Sequence, residues 1–282
     1  MPAWLLDAAP LAVLGMFIGS FLNVVIHRLP QMLEAQWMAE CRQLSHPDEE
    51  QPKQPPFNLM VPRSRCPHCG HQIRWYENIP VMSYLVLGGK CSNCKAKISV
   101  RYPAVEVLTG ALFAYCAVRW GWSWQTAVWC IFCAALVTLT FIDWDTTLLP
   151  DDITLPLVWL GLIVAALRWN TEVTLLNSVW GAVAGYLSLW SVYWLFKLVT
   201  GKEGMGYGDF KLFAALGAWF GWQALIPMIL LASCIGAIVG IIMKFKSALR
   251  EGGYVPFGPF LAGAGVVALV FGPASILKAI GL

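Results

Sequence analysis

Long apolar runs separated by short polar joints fill most of this chain. They fall near residues 10–27, 104–120, 124–142, 153–168 and 176–196, then over 211–243 and about 258–280. A helix needs about 20 mostly apolar residues to span the hydrocarbon of a bilayer, so each of these runs predicts a membrane helix. The 33 residues of 211–243 are interrupted by "FGWQALIP" at 220–227 and read as one long helix or as two joined by a tight turn. The one large polar interruption is residues 28–103.

Composition agrees with the pattern. The chain of 282 residues is 58% hydrophobic and 12% charged, against about 25% charged in soluble domains. Fifteen tryptophans supply the aromatic content that collects at membrane interfaces. The fold class is therefore an all-α polytopic membrane protein in contact with the lipid bilayer. A net charge of +3 gives no basis for a nucleic-acid partner.

Charge placement decides the number of crossings. The opening "MPAWLLDAAP" has no basic region, and His27 and Arg28 follow the first apolar run. That order predicts a retained first helix with its N-terminus outside rather than a cleaved signal peptide. With 211–243 split into two crossings, the inner segments 28–103, 143–152, 197–211 and 244–257 hold ten, no, three and three Lys/Arg. The outer side then keeps only Arg119, Arg168 and Lys278. This strong positive-inside bias favours about eight helices, the sixth short or irregular. The expected organisation is a first transmembrane helix (1–27), a small cytoplasmic domain between helices 1 and 2 (28–103) and a transmembrane domain (104–282). Within the polar segment, "EAQWMAECRQL" reads as an amphipathic helix and "SHPDEEQPKQPP" as a flexible loop.

The nine cysteines divide into classes. Cys116, Cys130, Cys133 and Cys234 lie in apolar runs and read as small buried hydrophobes, whereas Cys41 stands alone. Cys66, Cys69, Cys91 and Cys94 form "CPHCG" and "CSNCK", two close pairs suited to a tetrahedral zinc site. Two disulfides are disfavoured in a reducing cytoplasm, and a domain of this size gains folding energy from a metal. Four thiolates close the coordination shell, so the zinc should be structural. Unligated or redox-active thiols are the alternative.

Acids gather at one expected membrane face. "FIDWDTTLLPDD" carries Asp143, Asp145, Asp151 and Asp152, and "GMGYGDFK" carries Asp209 after Gly204, Gly206 and Gly208. Ionisable groups at the ends of membrane helices are costly and usually functional. Two carboxyls in one low-dielectric site cannot both ionise, which leaves one acid and one base for peptide hydrolysis. The glycines would let backbone or an extended substrate approach. The plainer readings are solvated surface charges for Asp145, Asp151 and Asp152, and helix caps for Asp151 and Asp209. An ion relay or a membrane scaffold are rival function classes. A relay would place acids in the middle of the bilayer, where these helices are bare, and a scaffold leaves the glycine-rich turn without a purpose.

"GMGYGD" contains Gly-x-Gly-Asp. Together with "IDWDTTLLPD", "SFLNVVIHRLP" and the paired CxxC motifs, in this order from Gly19 to about Pro259, the chain resembles the type IV prepilin peptidases, which are intramembrane aspartic proteases. The resemblance implies that Asp143 and Asp209 are catalytic, with Asp145 the nearest rival for the first role. It implies removal of the short basic leader of type IV prepilins and type II secretion pseudopilins. The setting would be the cytoplasmic face of a bacterial inner membrane. The cysteine-bearing domain implies the bifunctional kind, which methylates the new N-terminus with S-adenosylmethionine. The sequence itself has no GxGxxG fingerprint, and the polar segment is too short for a full Rossmann domain. A cofactor site would draw instead on Gly88 and Gly89, with Glu77 as the base that keeps the amine neutral for methylation. The alternative for Glu77 is a salt bridge with Arg74 or Arg101.

Overall fold

The computed structural model describes residues 3–47, 56–170, 172–245 and 255–279. Most of the "SHPDEEQPKQPP" segment and Lys246 and Arg250 of the 244–257 segment lie outside them. The fold is all-helical. In chain order the helices are α1 (Ala3–Ser45), α2 (Met82–Val86), α3 (Arg101–Trp120), α4 (Trp124–Thr146) and α5 (Asp151–Ala166). They continue as α6 (Leu175–Thr200), α7 (Tyr207–Phe220), α8 (Leu225–Phe245), α9 (Gly258–Phe271) and α10 (Pro273–Ala279). Among the described residues the only β-type pairings are two isolated bridges, Arg65 with Gln72 and Lys90 with Lys97.

Among the described residues, four helical segments are long and apolar enough to cross a membrane: Ala8–Ser45, Trp124–Thr146, Leu175–Thr200 and Trp222–Phe245. Helix α9 is apolar but has only 14 residues. The first helix corrects the expected bounds. Its 43 residues make about 65 Å at 1.5 Å per residue, roughly twice the hydrocarbon thickness. The amphipathic "EAQWMAECRQL" is its continuation, not a separate element. The stretch 211–243 does break in two, because Gly221 (φ 79°) takes a conformation that side chains oppose and ends α7. The last apolar run also breaks, at Gly272 (φ 80°) ahead of Pro273.

The chain divides into two compact units between Ala134 and Ala135. In the first, α1 and α3 pack along each other at small residues. A Cβ on Gly15 would stand 2.9 Å from the Gly110 Cα, and one on Gly19 would stand 2.8 Å from the Glu106 Cα. Cys116, Cys130 and Cys133 are buried as expected, whereas Cys234, in the second unit, is exposed on α8.

In the second unit α7 is the central element. Phe210, Leu212, Phe213, Ala215, Leu216, Ala218 and Trp219 are all buried, so this helix is apolar on every side because it is enclosed on every side. Helix α6 crosses it where Gly181 meets Gly217, so closely that a Cβ on either would overlap the other's carbonyl. Three polar side chains inside reach backbone carbonyls. Ser178 Oγ donates to the Ala218 carbonyl at 2.6 Å, Trp219 Nε1 to Leu157 at 2.9 Å and Asn170 to Trp219 at 3.0 Å. Outward faces of α6 and α8, including Leu195, Leu198, Val199, Ile238 and Ile241, are exposed and apolar, as contact with hydrocarbon requires.

Candidate active site and metal centre

Helix α4 ends, and α7 and α9 begin, around two buried acids. Asp143 is 4% exposed and Asp209 7%. Leu149 packs against Gly208, next to Asp209, and against Gly258, which meets Asp143, so the two carboxyls share one environment. They are not equivalent within it. Asp143 Oδ2 accepts the backbone N–H of Gly258, the first residue of α9, at 2.9 Å. Asp209 Oδ1 is buried with no hydrogen-bond partner in the protein. A carboxylate held by a backbone amide at a helix N-terminus is favoured in its charged form. A buried carboxyl oxygen with nothing to pair is favoured as the protonated partner or as the receiver of a ligand's hydrogen bond.

Packing sets this geometry. A Cβ at Gly258 would lie 2.7 Å from Asp143 Oδ2 and 3.1 Å from Leu149 Cδ1. A Cβ at Gly208 would overlap Leu149 at 2.5 Å. Leu149 is therefore wedged between the starts of α7 and α9. The expectation that the glycines leave space for a peptide needs correction. Gly208 is filled by Leu149, Gly204 lies against the Phe196 ring, and only Gly206 faces Asp209, at 3.6 Å.

The other acids lie elsewhere. Asp145, Asp151 and Asp152 are exposed. The expected caps are not formed: Pro150 is the N-cap of α5 and Gly206 that of α7. Asp151 instead holds Lys211 at 2.6 and 2.7 Å. The turn before Asp209 is tied by Lys197, which reaches Glu203 at 2.8 Å and Tyr193 Oη at 3.2 Å.

In the first unit, Cys66, Cys69, Cys91 and Cys94 place their sulfurs within 4.8 Å of one another. Cys66 and Cys94 are 3.8 Å apart, and Cys69 and Cys91 are 4.0 Å apart. Zn–S bonds of about 2.3 Å at tetrahedral angles require sulfurs about 3.8 Å apart, so the residues fit the ion. The two knuckles repeat one local fold. Gly70 N donates to Cys66 O and Lys95 N to Cys91 O, and both Gly70 (φ 69°) and Lys95 (φ 59°) are left-handed. Backbone amides turn toward sulfur. The His71 N–H draws the Cys69 thiol down to about 7, and the Cys94 N–H lowers Cys91. Against the pull of the Ala96 N–H, desolvation and the neighbouring thiols push Cys94 up to about 11. His71 is no fifth ligand, since its Nε2 faces Glu77 at 3.3 Å.

Beside this cluster lies a cavity of about 660 Å³ lined by His71, Arg74, Tyr76, Glu77 and the α2 turn, among others. That volume falls within the usual range for small-molecule sites, about 300–1,000 Å³. Glu77 accepts the Arg74 backbone N–H at 2.8 Å rather than pairing with its guanidinium, which goes to Tyr76. That amide, with help from Ser92 and His71, holds the Glu77 carboxyl below the usual carboxylate range. Gly88 (φ 59°) and Gly89 (φ 67°) are not part of the lining; they turn the chain from α2 toward Cys91.

Sequence reasoning missed two residues here. Gly258 was legible only as a Gly-Pro ahead of an apolar run. Glu106 is a buried acid in α3, and its signal was a lone charge in "YPAVEVLTG". It accepts the Val81 N–H at 2.7 Å. Val81 has φ 60° and ψ −49°, a conformation that costs a β-branched residue about 1–3 kcal/mol.

The chain matches the family described as Bacterial Peptidase A24 N-terminal domain over residues 13–120, and the Type IV leader peptidase family over residues 130–241. A prepilin leader peptidase/N-methyltransferase of Stutzerimonas stutzeri is 53% identical over 277 residues, which cover 96% of this chain and 95% of the relative. Proteins of the same name from Pseudomonas aeruginosa and Aeromonas hydrophila are each 55% identical, over 260 and 258 residues. Each alignment covers 92% of this chain, and 89% and 88% of the respective relative. No solved structure matches.

Proposed function

The chain belongs to the type IV leader peptidase family, and from that membership we propose that it cleaves the leader from type IV prepilins and pseudopilins and methylates the new N-terminus. The observation that carries the first activity is the burial of Asp143 and Asp209 in one environment with different partners. Asp143, the carboxylate, takes a proton from water as the water oxygen attacks the scissile carbonyl. Asp209 gives its proton to the carbonyl oxygen. As the tetrahedral gem-diol collapses, Asp143 gives its proton to the leaving amine and Asp209 takes one back from a diol hydroxyl, which restores both acids to their starting states. The site faces the cytoplasm of an inner membrane crossed eight times, with α3, α5, α7 and α9 among the crossings. The positive-inside distribution supports this arrangement.

The second activity belongs to the first unit. S-adenosylmethionine supplies an electrophilic methyl group. The cavity beside the cysteines suits it in size, with Tyr76 as an aromatic wall and Glu77 as an anion. A carboxyl held below its usual range is a weak proton acceptor, so Glu77 serves as counter-charge to a sulfonium or an amine rather than as the base. Gly88 and Gly89 contribute by fixing the turn between the cavity wall and the second knuckle. Zinc on the four cysteines is structural.

The test uses purified full-length protein with a prepilin and, separately, with processed pilin plus S-adenosylmethionine. Asp143→Asn and Asp209→Asn should each abolish cleavage and spare methylation, while Asp145→Asn should leave both within about twofold. Cleavage retained by either of the first two variants would remove that residue from the mechanism.

A further inference from the structure

A buried acid of the first unit holds a turn that shapes the cavity. Glu106 lies early in α3, 8% exposed, where α1 approaches so closely that Gly19 has no room for a side chain. Its Oε2 accepts the Val81 N–H at 2.7 Å, and the Ser20 side chain also bonds the carboxyl. Val81 is the centre of a three-residue turn closed by Met82 N donating to Pro80 O at 2.5 Å. Its φ of 60° and ψ of −49° are those of a γ-turn, rare and strained for an L-residue and worse for a β-branched one. Such a conformation persists only where the surroundings over-determine it. The central N–H of the turn cannot join the helix that follows, and Glu106 gives it a carboxyl oxygen as acceptor.

The turn matters because of its neighbours. Ile79, Met82 and Ser83 flank Val81 and all line the cavity. Ser83 Oγ donates back to Ile79 O at 2.8 Å, and Leu85 N donates to Val81 O at 3.0 Å. The turn therefore sets where α2 starts and which face it gives to the cavity. We propose that Glu106 is a positioning residue for methyl transfer, holding the Val81 turn so that α2 forms the cavity wall. The proposal rests on the reading of that cavity as the methyl-donor site. It assigns a function in the cytoplasmic chemistry to an acid carried by a membrane helix.

The experiment uses the two activities of full-length protein as mutual controls. Glu106→Ala should raise the KM for S-adenosylmethionine about tenfold or more, while leader cleavage stays within twofold. Glu106→Gln keeps an oxygen acceptor and should stay within about threefold of the parent in methylation. Val81→Gly removes the strain, so adding it to Glu106→Ala should recover part of the lost affinity. If Glu106→Ala does not accumulate in the membrane, Glu106→Asp, one methylene short of the Val81 N–H, is read the same way. Unchanged methylation in the alanine or aspartate variant, or a parallel fall of both activities, overturns the proposal. Met82→Trp, which fills the cavity, separates the two levels. If it abolishes methylation and the Glu106 variants do not, the positioning function fails alone. If it leaves methylation intact, the cavity reading fails and the proposal fails with it.

Discussion

The Gly258 amide donates to Asp143 Oδ2 at 2.9 Å across 115 positions of sequence, and the Gly258 Cα has no room for a methyl group on that side. The bond gives the two buried acids unequal surroundings, which is what a dyad needs if one member is to be base and the other acid.

Gly258→Ala follows directly. Its Cβ would stand 2.7 Å from Asp143 Oδ2, so either the carboxylate rotates off the amide or α9 shifts. Leader cleavage should fall by about 10- to 100-fold, in line with the cost of small displacements at a reacting centre. Methylation of a processed pilin should be retained. Kinetics on the two substrates measure both.

The Glu77 carboxyl lies below its ordinary value of 4.5, chiefly through the Arg74 backbone N–H. A carboxyl depressed in the folded state contributes order that is present above its unfolded pKa and lost as pH falls through the lower folded one. Affinity for S-adenosylmethionine should therefore gain nothing from Glu77 titration between pH 7 and 5, and should drop below the usual carboxylate range. Calorimetric titrations of the parent and Glu77→Gln across that range check this; the variant should lack the acidic limb and bind more weakly throughout.

Cys66→Ser removes one of four sulfurs from a closed cage. A structural zinc site couples metal binding to folding, so metal content measured by mass spectrometry should fall below half of the parent's. Methylation should drop more than tenfold, and cleavage less than threefold.

Gly217→Leu should be the most damaging change in the second unit. The Gly181–Gly217 crossing leaves no space for a Cβ on either helix, and overpacking of this kind costs about 1–3 kcal/mol or more. A lowered thermal midpoint in detergent, with cleavage lost in proportion to folded protein, is the expected result. Leu198→Ala, on an exposed face of α6, should scarcely move it.

The chain by itself determined what depends on neighbours in sequence. Run lengths set where α3, α4, α5 and α6 begin and end to within a few residues, because an apolar helix satisfies its own backbone hydrogen bonds. The two CxxC knuckles were legible because each is a local turn. Asp143 and Asp209, the acids singled out by motifs, are both buried. Tertiary structure alone decided the rest: that Gly258 rather than a side chain holds Asp143, that Leu149 fills the place beside Gly208, and that Glu106 braces a strained turn 25 residues before it. Those relations arise where separate helices meet, and meeting points are fixed by shape and burial across the whole bundle, which no local stretch encodes.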